Sequence, residues 1–300
     1  MTAEFVCGFV AVVGRPNVGK STLINGILGT KVSIVSPKPQ TTRHRILGVH
    51  TADDYQAVFI DTPGLHRDAG RAMNRMMNRT AAAALLDAEV VLFVCEAHTW
   101  RDEDDDVLKR LKSAKAPVIA VLNKVDQIPK KDQLLATISD MMQRFDFAEI
   151  VPVSAKKGDN VAGLLETLRT YLPASPPLFP PEMLTDRGEA FQISELIREK
   201  LTLQLRDELP YGSTVQIERL ERDPDTDRRI IHAVIWVERD SQKGIVIGKG
   251  GNMLKSIGQS ARREISRRLG EPVHLELWVK VKSNWANNEQ DLQSLGYDQA

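Results

Sequence analysis

Gly14-Arg15-Pro16-Asn17-Val18-Gly19-Lys20-Ser21 decides the fold. The segment matches G-x-x-x-x-G-K-[ST], stands behind the apolar run Phe9 to Val13 and leads into a helical-looking stretch, Thr22 to Leu28. Strand, glycine loop and helix N-terminus in that order make a phosphate cradle, because glycines let backbone N–H groups turn inward and the first helical turn adds partial positive charge. In such a loop Lys20 bridges the β- and γ-phosphates and Ser21 ligates Mg²⁺. Gly14 through Thr22 form the predicted phosphate-binding set.

Working outward, three more segments stand at the ends of apolar strands: Asp61-Thr62-Pro63-Gly64 after Gln56 to Ile60, Asn123-Lys124-Val125-Asp126 after Val118 to Leu122, and Ser154-Ala155-Lys156 after Glu149 to Val153. Asn-Lys-x-Asp selects the base, since the Asp126 carboxylate accepts two hydrogen bonds from guanine N1 and N2 and adenine has no matching donors. A buried acceptor left unpaired costs about 1–3 kcal/mol, so the wrong base is rejected by what it leaves unsatisfied. Backbone N–H groups around Ser154 and Ala155 are placed to reach guanine O6, and the Lys156 stem to cover a base face.

The same spacing predicts two switches. Asp61 reaches Mg²⁺ through its water shell and the Gly64 N–H bonds a γ-phosphate oxygen, so the loop beyond senses that phosphate. A second switch lies in Pro39-Gln40-Thr41-Thr42-Arg43-His44-Arg45, where Thr42 is the first candidate for the Mg²⁺ threonine and Thr41 the alternative. Ras-like enzymes place a water-orienting glutamine directly after Asp-x-x-Gly. Here that position is Leu65, which neither donates nor accepts, and no arginine finger is assignable, so intrinsic GTP hydrolysis is expected to be slow.

Strands Phe9–Val13, Gln56–Ile60, Val90–Cys95, Val118–Leu122 and Glu149–Val153 alternate with helical patterns up to about residue 172, which predicts an α/β domain with a mostly parallel sheet and helices on both faces. The acidic run Asp102 to Asp106 fits a first helical turn better than a metal site. Residues 173–181 hold five prolines in nine positions, an extended connector and the expected domain boundary. Residues 182–300 then give a helix (Glu189 to Asp207), two strands (Gly212 to Leu220, Ile230 to Glu238), a helix interrupted at Gly248-Lys249-Gly250-Gly251, a second helix to Leu269 and a strand, Val273 to Val281. The mostly polar tail, Trp285 to Ala300, is expected to be partly ordered.

Composition narrows the function classes. Three hundred residues allow two domains, and 40 basic against 40 acidic residues give no global field. Two cysteines, Cys7 and Cys95, in apolar runs suit a reducing compartment and give no disulfide framework. The six histidines show no ligand spacing and are expected to be ordinary surface or loop residues. No apolar stretch of membrane-spanning length and no leader are apparent, so a cytoplasmic monomer is expected.

Local charge is uneven: Lys243 to Lys282 carries nine Lys/Arg against three acids. With the G-x-x-G loop, that excess points to nucleic acid, through Gly248, Lys249, Gly250, Gly251, Lys255, Arg262 and Arg263. A solvated helix face or an anionic membrane surface is the other reading of the same charges.

Taken together, the chain resembles the Era family of KH-domain GTPases of bacterial ribosome assembly. The motifs Gly-Arg-Pro-Asn-Val-Gly-Lys-Ser, Gln-Thr-Thr-Arg-His-Arg, Asp-Thr-Pro-Gly-Leu, Asn-Lys-Val-Asp and Ser-Ala-Lys stand in the family's order, followed by Ile-Gly-Lys-Gly-Gly and Leu-Trp-Val-Lys-Val. The resemblance implies a type II KH domain, binding to the 3′ end of 16S ribosomal RNA, a part in maturation of the 30S subunit and some peripheral association with the inner membrane. It also implies a hydrophobic residue in place of the catalytic glutamine, matching Leu65, and K⁺ beside the phosphates at Asn17, unless Asn17 only shapes the loop. Two alternatives stay open: an RNA-binding module whose nucleotide site is a structural anchor, and a related GTPase acting mainly at a membrane or on tRNA.

Overall fold

The computed structural model describes residues 4–38, 41–64, 70–129, 131–205 and 209–297. The first part is built from β1 (Val6–Val13), α1 (Lys20–Leu28), β2 (Ile46–Thr51), β3 (Tyr55–Asp61), α2 (Ala72–Asp87), β4 (Val90–Glu96), α3 (Asp102–Leu111), β5 (Val118–Asn123), α4 (Lys131–Arg144), β6 (Glu149–Pro152) and α5 (Val161–Arg169). Its six strands lie in the order β2-β3-β1-β4-β5-β6, parallel except for β2. Both faces of this sheet are covered, which is why its parallel strands are predominantly apolar rather than alternating. Along β1, Val10 and Val12 join Leu23, Leu164 and Leu168 of α1 and α5, while Ala11 and Val13 join Val107, Leu111 and Met141 of α3 and α4.

Sequence patterning missed β2. Its six residues include Gly48 and His50, which interrupt the apolar run, and it hairpins back onto β3 instead of following a helix. The acidic run opens α3 as expected, complementing the helix dipole.

The proline-rich connector is fastened to the sheet. Pro173 accepts from the Cys7 N–H at 3.0 Å, and the side chain of Gln56, fully buried on β3, accepts from the N–H groups of Leu178 and Phe179 at 2.9 and 3.0 Å. Beyond it come α6 (Glu189–Gln204), β7 (Ser213–Arg222), β8 (Arg229–Val237), α7 (Asp240–Ile247), α8 (Asn252–Leu269) and β9 (Val273–Val281). The sheet order is β7-β8-β9, with β8 parallel to β9. Ile193, Ile197 and Leu201 of α6 and Ile257, Ala261 and Ile265 of α8 cover Ile231, Ala233 and Ile235 of β8.

The tail is held more firmly than its polar composition suggests. Trp285, Leu292 and Tyr297 are buried against Ala72, Met73, Met76 and Met77 of α2, so the last described residues, including α9 (Glu289–Ser294), are anchored on the first domain. Widely spaced apolar residues in a polar stretch carry no periodic signal, and burial of large aromatics offsets the entropy of ordering it.

Candidate functional site

Every motif of the first domain sits at the C-terminal edge of its sheet, where open α/β folds bind ligands. A cavity of about 570 Å³ opens there, lined by Pro16, Asn17, Gly19, Lys20, Ser21 and Thr22 of the glycine loop, by Thr41, Thr42 and Gly64, and by Asn123, Lys124, Asp126, Ala155 and Lys156. That volume suits a nucleotide-sized ligand. Ile34 to Pro37 and Gln127 complete the wall. The loop geometry demands glycine: Gly14 has φ +152°, and a Cβ there would lie 2.2 Å from the Val94 carbonyl oxygen. Gly19 has φ +101°, and its Cβ would lie 2.4 Å from Asn123 Nδ2.

Lys20 is buried and donates to the carbonyls of Gly14 and Arg15 at 2.9 and 3.0 Å. Burial pulls its ammonium down to about 8, against the attraction of Asp61. At the base end, Asn123 is a strut: Nδ2 donates to the Val18 carbonyl at 2.8 Å and Oδ1 accepts from the N–H groups of Lys124 and Ala155 at 2.7 and 3.0 Å. The Ala155 amide, expected to face a ligand, is therefore engaged in bracing Asn123. Ser154 donates to Asp126 Oδ1 at 2.6 Å, which aims the carboxylate and lowers its pKa. Lys124 donates to the Asn17 carbonyl at 2.8 Å and to Glu96, tying the base loop to the phosphate loop.

Between them, three oxygens converge. Ser21 Oγ lies 3.0 Å from Thr42 Oγ1 and donates to Asp61 Oδ2 at 2.9 Å, and Thr42 is 3.5 Å from the same oxygen. Asp61 is fully buried, its pKa is raised by burial, and its Oδ1 has no hydrogen-bond partner. A buried carboxylate with an orphaned oxygen beside two hydroxyls is a fitting cradle for a hard cation. Thr41 Oγ1 instead donates to the Lys38 carbonyl at 2.7 Å, so the geometry favours Thr42 over Thr41. Leu65 lies outside the described residues, as do Pro39 and Gln40.

In the second domain, Gly248, Gly250 and Gly251 all have positive φ, and a Cβ at Gly250 or Gly251 would meet nothing within 4 Å. Beside this exposed loop runs a groove of about 410 Å³ between α8 and β9, with Leu254, Leu275 and Leu277 as apolar floor and Lys255 and Arg262 at its rim. Arg263 is exposed on α8 but does not line the groove.

Comparison with known proteins agrees with this geometry. Residues 9–124 match the family described as 50S ribosome-binding GTPase, and residues 208–286 match the KH domain. The GTPase Era of Actinobacillus pleuropneumoniae serotype 5b is 52% identical over 291 residues, 97% of this chain and 95% of its own length. The chain belongs to the Era family of GTPases. A Vibrio parahaemolyticus member is 50% identical, over 97% of this chain and 91% of its own. Among solved structures, Aquifex aeolicus Era bound to GDP and AlF4⁻ superimposes with a TM-score of 0.94 at 40% identity, covering 98% of this chain and 99% of that one. Era in complex with MgGDPNP and nucleotides 1506–1542 of 16S ribosomal RNA gives 0.95 at the same identity and coverage. The chain is accordingly a GTPase with an α/β P-loop domain and a C-terminal KH domain.

Within this Era fold some motif side chains serve the scaffold rather than the cavity. The Arg15 side chain turns away from the cavity, pairing with Glu96 and, at 3.0 Å, with fully buried Asp104 of α3. Within the phosphate loop its carbonyl accepts from Lys20 and its Nη1 donates to the Pro16 carbonyl at 3.4 Å. The Val18 side chain belongs to the apolar core, and Thr62 Oγ1 donates to the Val12 carbonyl at 3.0 Å. His44 is no ordinary loop residue: it stacks on Tyr297 with ring centroids 4.4 Å apart and meets Phe191 edge-on, and burial lowers its pKa to about 4. The basic excess is also partly spent within the chain. Arg268 donates to the Lys31 carbonyl, Lys280 pairs with Glu218 and Lys282 with Asp291. None of these partnerships has a local sequence signature.

Proposed function

We propose that this GTPase cycles between Mg²⁺-GTP and GDP in the β1–β3–β5–β6 edge cavity and binds single-stranded RNA at the α8–β9 groove, recognising the 3′ end of 16S ribosomal RNA and assisting 30S subunit maturation. One observation carries the reading: a nucleotide cradle with a cation-ready oxygen cluster and a clamp-type RNA groove stand on a single chain. The Era complex with MgGDPNP and a 16S fragment supports both halves.

In this reading Lys20 and the N–H groups of the Gly14–Ser21 loop hold the β- and γ-phosphates, Asp126 reads guanine, and Ser154 fixes its carboxylate. Ser21 and Thr42 would ligate Mg²⁺ with Asp61 behind its water shell, and the ion supplies neutralisation of charge on the phosphate oxygens. Gly64 senses the γ-phosphate. Intrinsic turnover is slow because no described group replaces the absent glutamine, and K⁺ at Asn17 would supply part of the missing charge. Lys249 and the N–H groups around Gly248–Gly251 hold RNA phosphates while Lys255 and Arg262 flank the strand, with bases against Leu254, Leu275 and Leu277. Crosslinking the protein in cells and sequencing the attached RNA tests the assignment. Enrichment of the 3′ end of 16S ribosomal RNA is expected, and enrichment of tRNA instead would overturn it.

A further inference from the structure

The loop that carries Thr42 is held from outside the GTPase domain. Lys31, Val35 and Lys38 meet α6 of the KH domain, where Glu199 accepts from Lys31 and from the Val35 N–H, and the Leu205 carbonyl at the end of the helix accepts from Lys38. Contacts tighten around the threonine. Arg198 Nη2 donates to the Thr41 carbonyl, while one residue beyond Thr42 the Arg43 guanidinium donates to the Ser213 and Pro210 carbonyls at 2.8 and 2.6 Å and to Tyr297 Oη at 3.3 Å. Thr42 is thus flanked by a Thr41 carbonyl held by α6 and an Arg43 side chain held by the KH domain and the tail, and the threonine between them projects toward Ser21 and Asp61.

We propose that Arg198, oriented by Glu195, is a positioning residue for the Mg²⁺ threonine Thr42, contributed to the GTPase centre by the RNA-binding domain. Glu195 grips Arg198 in a bidentate pair, both contacts 2.6 Å, and the two residues are 5% and 2% exposed. A buried ion pair is weak evidence of stability, because desolvation offsets the attraction. Here the guanidinium leaves Nη1 buried without a partner while Nη2 reaches Thr41. An arginine serving only its glutamate has no need to accept that cost; one that must span from Glu195 to the switch carbonyl does. Arg43 anchors the far side, and Arg198 sets how far the Thr41–Thr42 peptide can retreat.

The inference rests on the reading of Thr42 as an Mg²⁺ ligand, and the test separates the two. Release of a fluorescent non-hydrolysable GTP analogue and of fluorescent GDP would be followed from the full chain across a Mg²⁺ titration. Two variants are used: Arg198→Lys, whose compact ammonium cannot hold Glu195 and Thr41 together in the same planar geometry, and Glu195→Leu/Arg198→Met, which replaces the pair by apolar volume and keeps the helix packed. Both should release the analogue roughly tenfold faster, the scale of one charge-assisted hydrogen bond, and need more Mg²⁺ to retain it, with GDP release unchanged. Wild-type analogue release in both variants, while Thr42→Ala releases it fast, overturns the role of Arg198 and leaves the Thr42 reading standing. Wild-type release in Thr42→Ala as well removes both. Equal acceleration of GDP and analogue would show a loosened pocket rather than a positioned threonine, and also overturns the proposal.

Discussion

The nucleotide cavity and the RNA groove are built on opposite plans. Around the cavity the functional side chains are committed to protein partners: Lys20 to two carbonyls, Asn123 to three backbone groups, Asp126 to Ser154, Ser21 to Asp61. Around the groove, Lys249, Lys255 and Arg262 are solvent-exposed, and the loop is shaped by three glycines with positive φ. A pocket for one rigid ligand gains from preorganised polar groups, which cost no reorganisation on binding. A clamp for a flexible polyanion needs only a preformed backbone and mobile charges, since counterion release supplies the affinity. The contrast predicts that substitutions at the groove leave the fold and the pocket untouched, whereas changes in the pocket act through groups that also hold its walls.

The largest effect should come from the groove. Lys249→Asp with Gly250→Asp puts two carboxylates where phosphates run, and Gly250 sits at φ +60°, ψ +23° in open space, a conformation aspartate tolerates better than most residues. RNA affinity should fall by roughly 100-fold or more at fixed salt, with GTP affinity and melting temperature unchanged. A filter-binding titration and a thermal melt check both. Loss of GTP binding in this variant would break the comparison.

Next in size is base reading. Asp126→Asn removes the acceptor pair, and GTP affinity should weaken roughly 10–100-fold. Xanthosine triphosphate, whose base presents an acceptor where guanine has a donor, should become the preferred ligand. Undiminished GTP affinity in a competition assay, with no preference for the xanthine nucleotide, would show that the carboxylate does not read the base.

These two sites were legible in sequence to different depths. The pocket motifs carry chemistry at fixed spacing, so Lys20, Asp61 and Asp126 are assignable directly, and the run leading into each motif is apolar. What stayed illegible is long-range pairing. Arg15 sits inside the phosphate-loop motif, yet its side chain is claimed by Glu96 and Asp104, residues about 80 and 90 positions away. His44 reads as a surface or loop residue, and Trp285 gives no sign of its burial, because their partners, Tyr297 and Met73 among them, come from the other end of the chain. β2 escaped because two weak strand formers break its apolar pattern. The +6 excess overstated the RNA face for the same reason, since Arg268, Lys280 and Lys282 are spent on intramolecular partners.

A smaller effect sharpens the claim that pocket groups serve both wall and ligand. Burial lowers Lys20 to about 8, and nucleotide phosphates beside it favour the charged form. Below pH 8 the lysine is protonated before and after binding, and affinity should be flat with respect to this group. Above pH 8 the free protein has lost the proton that the complex needs, so binding takes one up and affinity falls with pH, by at most about tenfold per unit. Titration calorimetry in buffers of different ionisation enthalpy at pH 7 and pH 9 should show proton uptake only at the higher pH. No uptake at pH 9 would mean that Lys20 stays charged without nucleotide.

The smallest expected effect concerns a phosphate-loop residue that resembles the groove in being exposed. Asn17 has φ +65°, and its Nδ2 donates to the Pro37 carbonyl at 2.8 Å, so it links the phosphate loop to the segment just before the switch instead of closing on its own loop. That bond alone gives it a shaping role. A monovalent cation held there would in addition offset charge developing between the β- and γ-phosphates, the service an arginine finger performs in trans. Ion radius separates the two roles, because a hydrogen-bonding side chain is indifferent to which alkali ion is in solution and a coordination site is not. Potassium should give a several-fold faster hydrolysis rate than sodium at equal ionic strength, and Asn17→Ala should abolish the difference while nucleotide affinity stays close to wild type. Identical rates in the two salts, with and without RNA bound, would leave Asn17 with its Pro37 bond alone and place the missing catalytic charge elsewhere.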